Sequence, residues 1–277
     1  MQNRSNLTVG VFDSGVGGLS VLRAIHSQMP AQPVIYFADQ GHVPYGPRSL
    51  EEVRAFSAEI TRFLLDLGAQ VIVVACNTAS AAALHDLRER FPGTPFVGME
   101  PAVKPAAEGT LTGRVGVLAT PATFQGELYA SLVERFANGV ELYQDACPGL
   151  VTEIEAGRLD GRETRRILET ALQPMLAEGV DTIVLGCTHY PFAIPLIEEI
   201  VGPQVRVIDP APAVARQLGR VLASRGLLAE GPARQARFIT SGDPQAFSAS
   251  LRQLLGLEGK IEIAVWDGNR LTLAAHS

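Results

Sequence analysis

The chain is poor in several things, and each shortage excludes something. Its 277 residues include only two lysines, Lys104 and Lys260. A pyridoxal phosphate enzyme needs a Schiff-base lysine in a phosphate-binding setting. Lys260 sits in GLEGK and Lys104 in EPAVKPAA, and neither has a phosphate-cradle motif beside it. There are three cysteines, a small odd number that argues against a disulfide framework and for a reducing compartment. Long apolar runs are missing. A run such as VIVVAC (71–76) is far short of the roughly 18 residues of a membrane span. Excess positive charge is missing too. The net charge of −6 leaves no basic footprint for nucleic acid or an anionic membrane. The opening MQNRSNL lacks the apolar stretch of a leader, so the expectation is a soluble cytoplasmic protein.

Hydrophobic residues make up 47% of the chain and charged residues 19%, which excludes long disorder. The length predicts one large domain or two modest ones. Short β-branched runs at 8–12, 34–38, 70–75, 95–99, 114–119, 140–144, 181–186 and 205–209 alternate with helical patterns. In residues 51–67, Val53, Phe56, Ile60, Phe63, Leu64 and Leu67 follow a helical period, with Ser49 and Glu52 as a capping box and Gly68 as the stop. Continuous apolar strands alternating with helices predict an α/β fold with doubly wound, mainly parallel sheets.

The sequence also repeats. LDLGAQVIVVACNTA (65–79) aligns with LAEGVDTIVLGCTHY (176–190), and each half opens with a VGV strand, at Val9 and at Val115. Two pseudo-symmetric domains with the active site in the cleft between them are the simplest reading. After residue 209 the pattern changes, with a helix at 211–225, a strand at 238–243, a helix at 245–255 and a last strand at 261–266. The expected division is therefore 1–98 plus 210–277 for a discontinuous first domain and 99–209 for the second.

In open α/β sheets, ligands bind beyond the carboxyl ends of the strands. Cys76 and Cys187 occupy such ends at matching repeat positions, followed by Asn77-Thr78 and Thr188-His189. A dithiol redox pair is usually C-x-x-C, which is absent, and a structural zinc site needs four ligands, so no metal is expected. Two-base proton transfer at a carbon centre uses two like groups on opposite faces of one substrate. An amino-acid-binding protein or a thiol redox protein stays open as an alternative of another class. Asp13 ends the first strand and could assist Cys76, or cap a helix starting near Leu19. His189, two residues after Cys187, could assist that thiol. Gly15, Gly17 and Gly18 permit a turn whose N–H groups face an anion, and a small carboxylate ligand suits it better than a nucleotide. Cys147 reads as strand-end packing.

Five segments, FDSGVGGLSV, VPYGPRS, VVACNTASA, GVLATPATF and LGCTHYPF, together resemble bacterial glutamate racemases of the aspartate/glutamate racemase family. The resemblance runs from about residue 9 to 225. It implies cofactor-independent racemisation of L- and D-glutamate, supplying D-glutamate for peptidoglycan, by a homodimer. It implies Cys76 as the base for D-glutamate and Cys187 as the base for L-glutamate. Asp13 would assist Cys76, and His189 would assist Cys187 with Glu155 nearby. Asp13, Ser14, Tyr45, Gly46, Asn77, Thr78, Thr123, Thr188 and His189 match substrate-binding positions. Another acidic amino acid, aspartate above all, is the alternative substrate. The chain departs from the family pattern at Thr152, Glu153 and Gly126. Some members carry an N-terminal extension tied to activation by a peptidoglycan precursor. Only residues 1–8 precede the VGV strand, so no such activation is expected.

Overall fold

The computed structural model describes residues 7–274, and the MQNRSN part of the segment read for a leader lies outside them. Strands β1 (Thr8–Asp13), β2 (Val34–Ala38), β3 (Ala69–Val74) and β4 (Phe96–Gly98) belong to one sheet. Strands β5 (Arg114–Ala119), β6 (Glu141–Asp145), β7 (Thr182–Gly186) and β8 (Arg206–Ile208) form a second. The chain then returns to the first sheet as β9 (Arg237–Thr240), β10 (Ile261–Asp267) and β11 (Arg270–Leu273). The orders are β11-β10-β9-β2-β1-β3-β4 and β6-β5-β7-β8. The second sheet repeats the order β2-β1-β3-β4 of the first, strand for strand. All pairings are parallel except β10 with β11. This is the doubly wound, pseudo-symmetric architecture expected of the repeat.

The repeat extends to packing. Gly10 in β1 and Gly116 in β5 are the central glycines of the two VGV segments. A Cβ on Gly10 would lie 2.9 Å from Ile72 Cδ1, and one on Gly116 would lie 2.5 Å from Ile183 Cδ1. Ile72 and Ile183 each stand four residues before their strand-end cysteine. Each glycine lets the neighbouring strand's isoleucine press onto the backbone. β1 and β3 are buried almost throughout, as helices on both faces require. One core joins the halves: Val11 and Val73 of the first sheet share it with Leu118, Ile183 and Leu185 of the second.

The helix expected at 51–67 spans Leu50–Asp66. Ser49 and Glu52 form the capping box, and Gly68 beyond its end has φ +94°. Gly18 holds the N-cap position of the helix Leu19–Gln28, and the Asp13 carboxylate, considered for that position, lies against the Gly18 N–H at the helix start. β11 was not foreseen. It returns antiparallel from β10 through Gly268, which has φ +55°.

Candidate active site

β1, β3, β5 and β7 point their carboxyl ends at a cavity of about 250 Å³ between the two sheets. Ser14 follows β1, and Thr120 follows β5 at the equivalent position. Cys76 follows β3, and Cys187 follows β7. All four line the cavity, with Tyr45, Gly46, Asn77, Thr78, Thr188 and His189.

Cys76 is also the N-cap of the helix Asn77–Arg90, where its Sγ accepts the Ala79 N–H at 3.4 Å. Its thiol reaches Ser14 Oγ at 4.0 Å. Burial, reinforced by the negative charge of Asp13, pushes the Cys76 thiol far above the ordinary thiol range. Cys76 is thus held as a neutral thiol when Asp13 is charged. Asp13 does not line the cavity. Its carboxylate accepts Gly15 N–H at 3.0 Å and Thr188 Oγ–H at 3.1 Å, joining one half to the other. Burial raises its pKa, against the opposing pull of His189 and two loop N–H groups.

Cys187 has a different neighbour. Its Sγ lies 3.8 Å from His189 Nδ1, and His189 Nε2 lies 2.6 Å from Glu155 Oε1. Burial would lower the His189 pKa, but the hydrogen bonds and charges of Cys187 and Glu155 lift it well above its ordinary value. Burial would raise Glu155, and there too the partner prevails: His189, Val16 N–H and Gln40 hold its pKa below the usual range. Cys187 thus has an imidazole as its polar neighbour, where Cys76 has the nearby carboxylate of Asp13. The two thiols therefore meet opposite electrostatics across one cavity.

The glycine loop does hold an anion, but the protein's own. Val16 N–H donates to Glu155 Oε1 at 2.8 Å, and Gly15 N–H is taken by Asp13. These donors therefore serve protein carboxylates rather than the carboxylate ligand that the loop's glycines suggest, because a turn shows its donors in the sequence and hides its partner. The glycines are needed for close approach. A Cβ on Gly15 would sit 2.0 Å from Glu155 Oε1, and one on Gly17 would sit 2.4 Å from His189 Nδ1.

Asn77 is 2% exposed, and neither its amide oxygen nor its amide nitrogen has a partner among the described residues. A buried, unsatisfied amide on a cavity wall is a ready contact for a polar ligand. Thr123 stands behind the wall, its hydroxyl 3.0 Å from that of Thr120, which in turn lies 2.8 Å from Thr78. Thr120 was missed, although the strand-end rule points to it. Tyr45 donates its hydroxyl to the buried Asp39 at 2.6 Å and so offers the cavity its ring. Asp39 also accepts Ser241 Oγ–H at 2.7 Å and Trp266 Nε1–H at 2.8 Å and lies 3.0 Å from His42 Nδ1. Cys147 packs in the core as expected, and it also lines the cavity, in a left-handed conformation with φ +44°. Thr152, one of the departures from the family pattern, faces the cavity as well.

A doubly wound pair of sheets with equivalent thiols over one cavity defines a class. Residues 9–218 match the model of the Asp/Glu/hydantoin racemase family, and the chain belongs to that family of isomerases. It is 53% identical over 258 residues to a glutamate racemase of Pseudomonas paraeruginosa, covering 92% of this chain and 97% of the relative. A glutamate racemase isoform from Bacillus anthracis superposes with a TM-score of 0.84 at 34% identity, covering 97% of this chain and 100% of that one. The Francisella tularensis glutamate racemase in complex with D-glutamate superposes with a TM-score of 0.82 at 30% identity, covering 95% of this chain and 98% of that one.

Proposed function

We propose that the chain interconverts L- and D-glutamate without a cofactor, Cys76 and Cys187 acting from opposite faces of the α-carbon. One observation carries the reading: thiols from equivalent strand ends line the same cavity, beside the unpartnered amide of Asn77. Glutamate as substrate is supported by the names of the relatives at about half identity. With L-glutamate, the Cys187 thiolate takes the α-hydrogen. The C–H bond breaks, an S–H bond forms, and the electron pair stays on the α-carbon and its carboxylate. The Cys76 thiol then gives its proton to the other face, leaving Cys76 as thiolate and Cys187 as thiol. D-Glutamate runs the same steps backwards, with Asp13, made more basic by burial, assisting Cys76. His189, backed by Glu155, stabilises the Cys187 thiolate in both directions. Ser14, Tyr45, Gly46, Asn77, Thr78, Thr188 and, through Thr120, Thr123 form the substrate wall.

The proposal extends to setting: a cytoplasmic homodimer supplying D-glutamate for peptidoglycan. It also divides the chain into 1–98 plus 210–277 and 99–209, a division supported by the membership of the two sheets. Circular dichroism of the pure enantiomers of glutamate and of aspartate, with no added cofactor, tests it. Loss of optical activity with glutamate alone supports the reading. Optical activity lost from aspartate alone makes aspartate the substrate, and an unchanged signal from both leaves a binding protein.

A further inference from the structure

Gln40 follows Asp39 at the end of β2, outside every motif read from the sequence. Its Nε2–H donates to Glu155 Oε2 at 3.2 Å, reaching from the first sheet to the helix Leu150–Glu155. Its Oε1 accepts the Thr240 hydroxyl at 3.0 Å, and Thr240 at the end of β9 is fully buried. Gly242 N–H in turn donates to Thr240 Oγ1 at 3.0 Å, and the one hydrogen of this hydroxyl is shared between Gln40 Oε1 and the more distant Ala38 carbonyl oxygen at 3.3 Å. The Glu155 carboxylate fixes which end of the Gln40 amide is which, because an ionised carboxylate only accepts, so the NH₂ turns to it and the amide oxygen is left facing Thr240. Gly242 seals the arrangement, since a Cβ there would lie 2.6 Å from Gln40 Cβ.

Each oxygen of Glu155 therefore has its own holder. Oε1 has His189 and Val16 N–H, and Oε2 has Gln40. A carboxylate held at one oxygen can still turn about its last bond, and one held at both cannot. We propose that Gln40 is a positioning residue for the Cys187 half-reaction: oriented by Thr240, it locks Glu155, which keeps His189 aimed at Cys187. This rests on the two-thiol reading above. It gives the C-terminal segment, through Thr240, a part in the chemistry.

The test uses Gln40→Leu with α-deuterated L- and D-glutamate. The enantiomers are equal in free energy, so kcat/KM must fall equally in both directions, and rates alone cannot locate the damage. Isotope effects can. The expected loss is about tenfold, the scale of a hydrogen bond to a charged group. If Cys187 is the impaired partner, the isotope effect on kcat/KM rises for L-glutamate and falls for D-glutamate. Thr240→Val should shift both effects the same way but less, and Thr240→Ser should restore wild-type values. Thr240→Val also serves if Gln40→Leu does not fold. A slower enzyme with unchanged isotope effects, or an unchanged rate, overturns the proposal. Cys187→Ser is the separate control: if it still racemises at near wild-type rate, the two-thiol reading has failed, and the proposal with it.

Discussion

Glu155 Oε1 lies 2.6 Å from His189 Nε2 while also accepting Val16 N–H, so one oxygen ties the second half's histidine to the first half's glycine loop. The pair has a pH signature. Glu155 has a folded pKa below its ordinary 4.5, so its contribution to stability is complete above that value and is lost as pH falls through the folded pKa. His189 has a folded pKa well above 6.5, so its contribution is complete below that value and is lost as pH rises through the folded pKa. The pair is fully stabilising only between the ordinary values, and it weakens on both sides.

Replacing Glu155 by Gln should therefore cost most near pH 5 to 6, about 3 kcal/mol for breaking a buried pair. Urea denaturation of wild type and variant across pH 3 to 9 checks this. A difference that does not change with pH would contradict the coupling.

Cys76→Ser and Cys187→Ser should each lower racemisation by about a thousandfold, because each removes one proton carrier. In D₂O, wild-type product from either enantiomer should carry deuterium at the α-carbon, read by mass spectrometry. Product that keeps its original hydrogen would contradict transfer between two exchanging thiols.

Gly17→Ala should drive a methyl group into His189 Nδ1. Misplacement of about 1 Å at such a site costs about a hundredfold in kcat. The structural cost should be about 1–3 kcal/mol. Steady-state kinetics beside thermal melts separate the two, and a loss of stability with intact kcat would count against a role for His189.

Asn77→Ala should raise KM for glutamate about tenfold or more, as the loss of hydrogen bonds to a charged ligand predicts. Asn77→Leu should also leave the free protein no less stable than wild type, because a buried, unpartnered amide disappears. Calorimetric melts of ligand-free protein check the second point.

The two thiols were legible because a cysteine at the end of an apolar parallel strand can be placed by pattern alone, and a repeat places it twice. Gly15 and Gly17 were legible as a tight loop, but not as one that closes on Glu155 and His189, since those partners are more than a hundred residues away. Gln40 and Thr120 are single polar residues after strands, a placement too common to stand out. Thr123 was carried over with its motif, and only the packing of Thr120 in front of it shows that it acts from behind. β11 had a signal, the Asp267-Gly268 turn, but four residues of RLTL are too few to show a period.

Asp39 gathers Tyr45 from the cavity wall and Trp266 from β10 on one carboxylate, and Trp266 packs edge-on against His42 at 4.9 Å. Trp266 is the only tryptophan in the chain. The protein thus carries its own optical reporter, wired by hydrogen bonds to the loop that walls the cavity. Its fluorescence should follow occupation of the cavity with no label added.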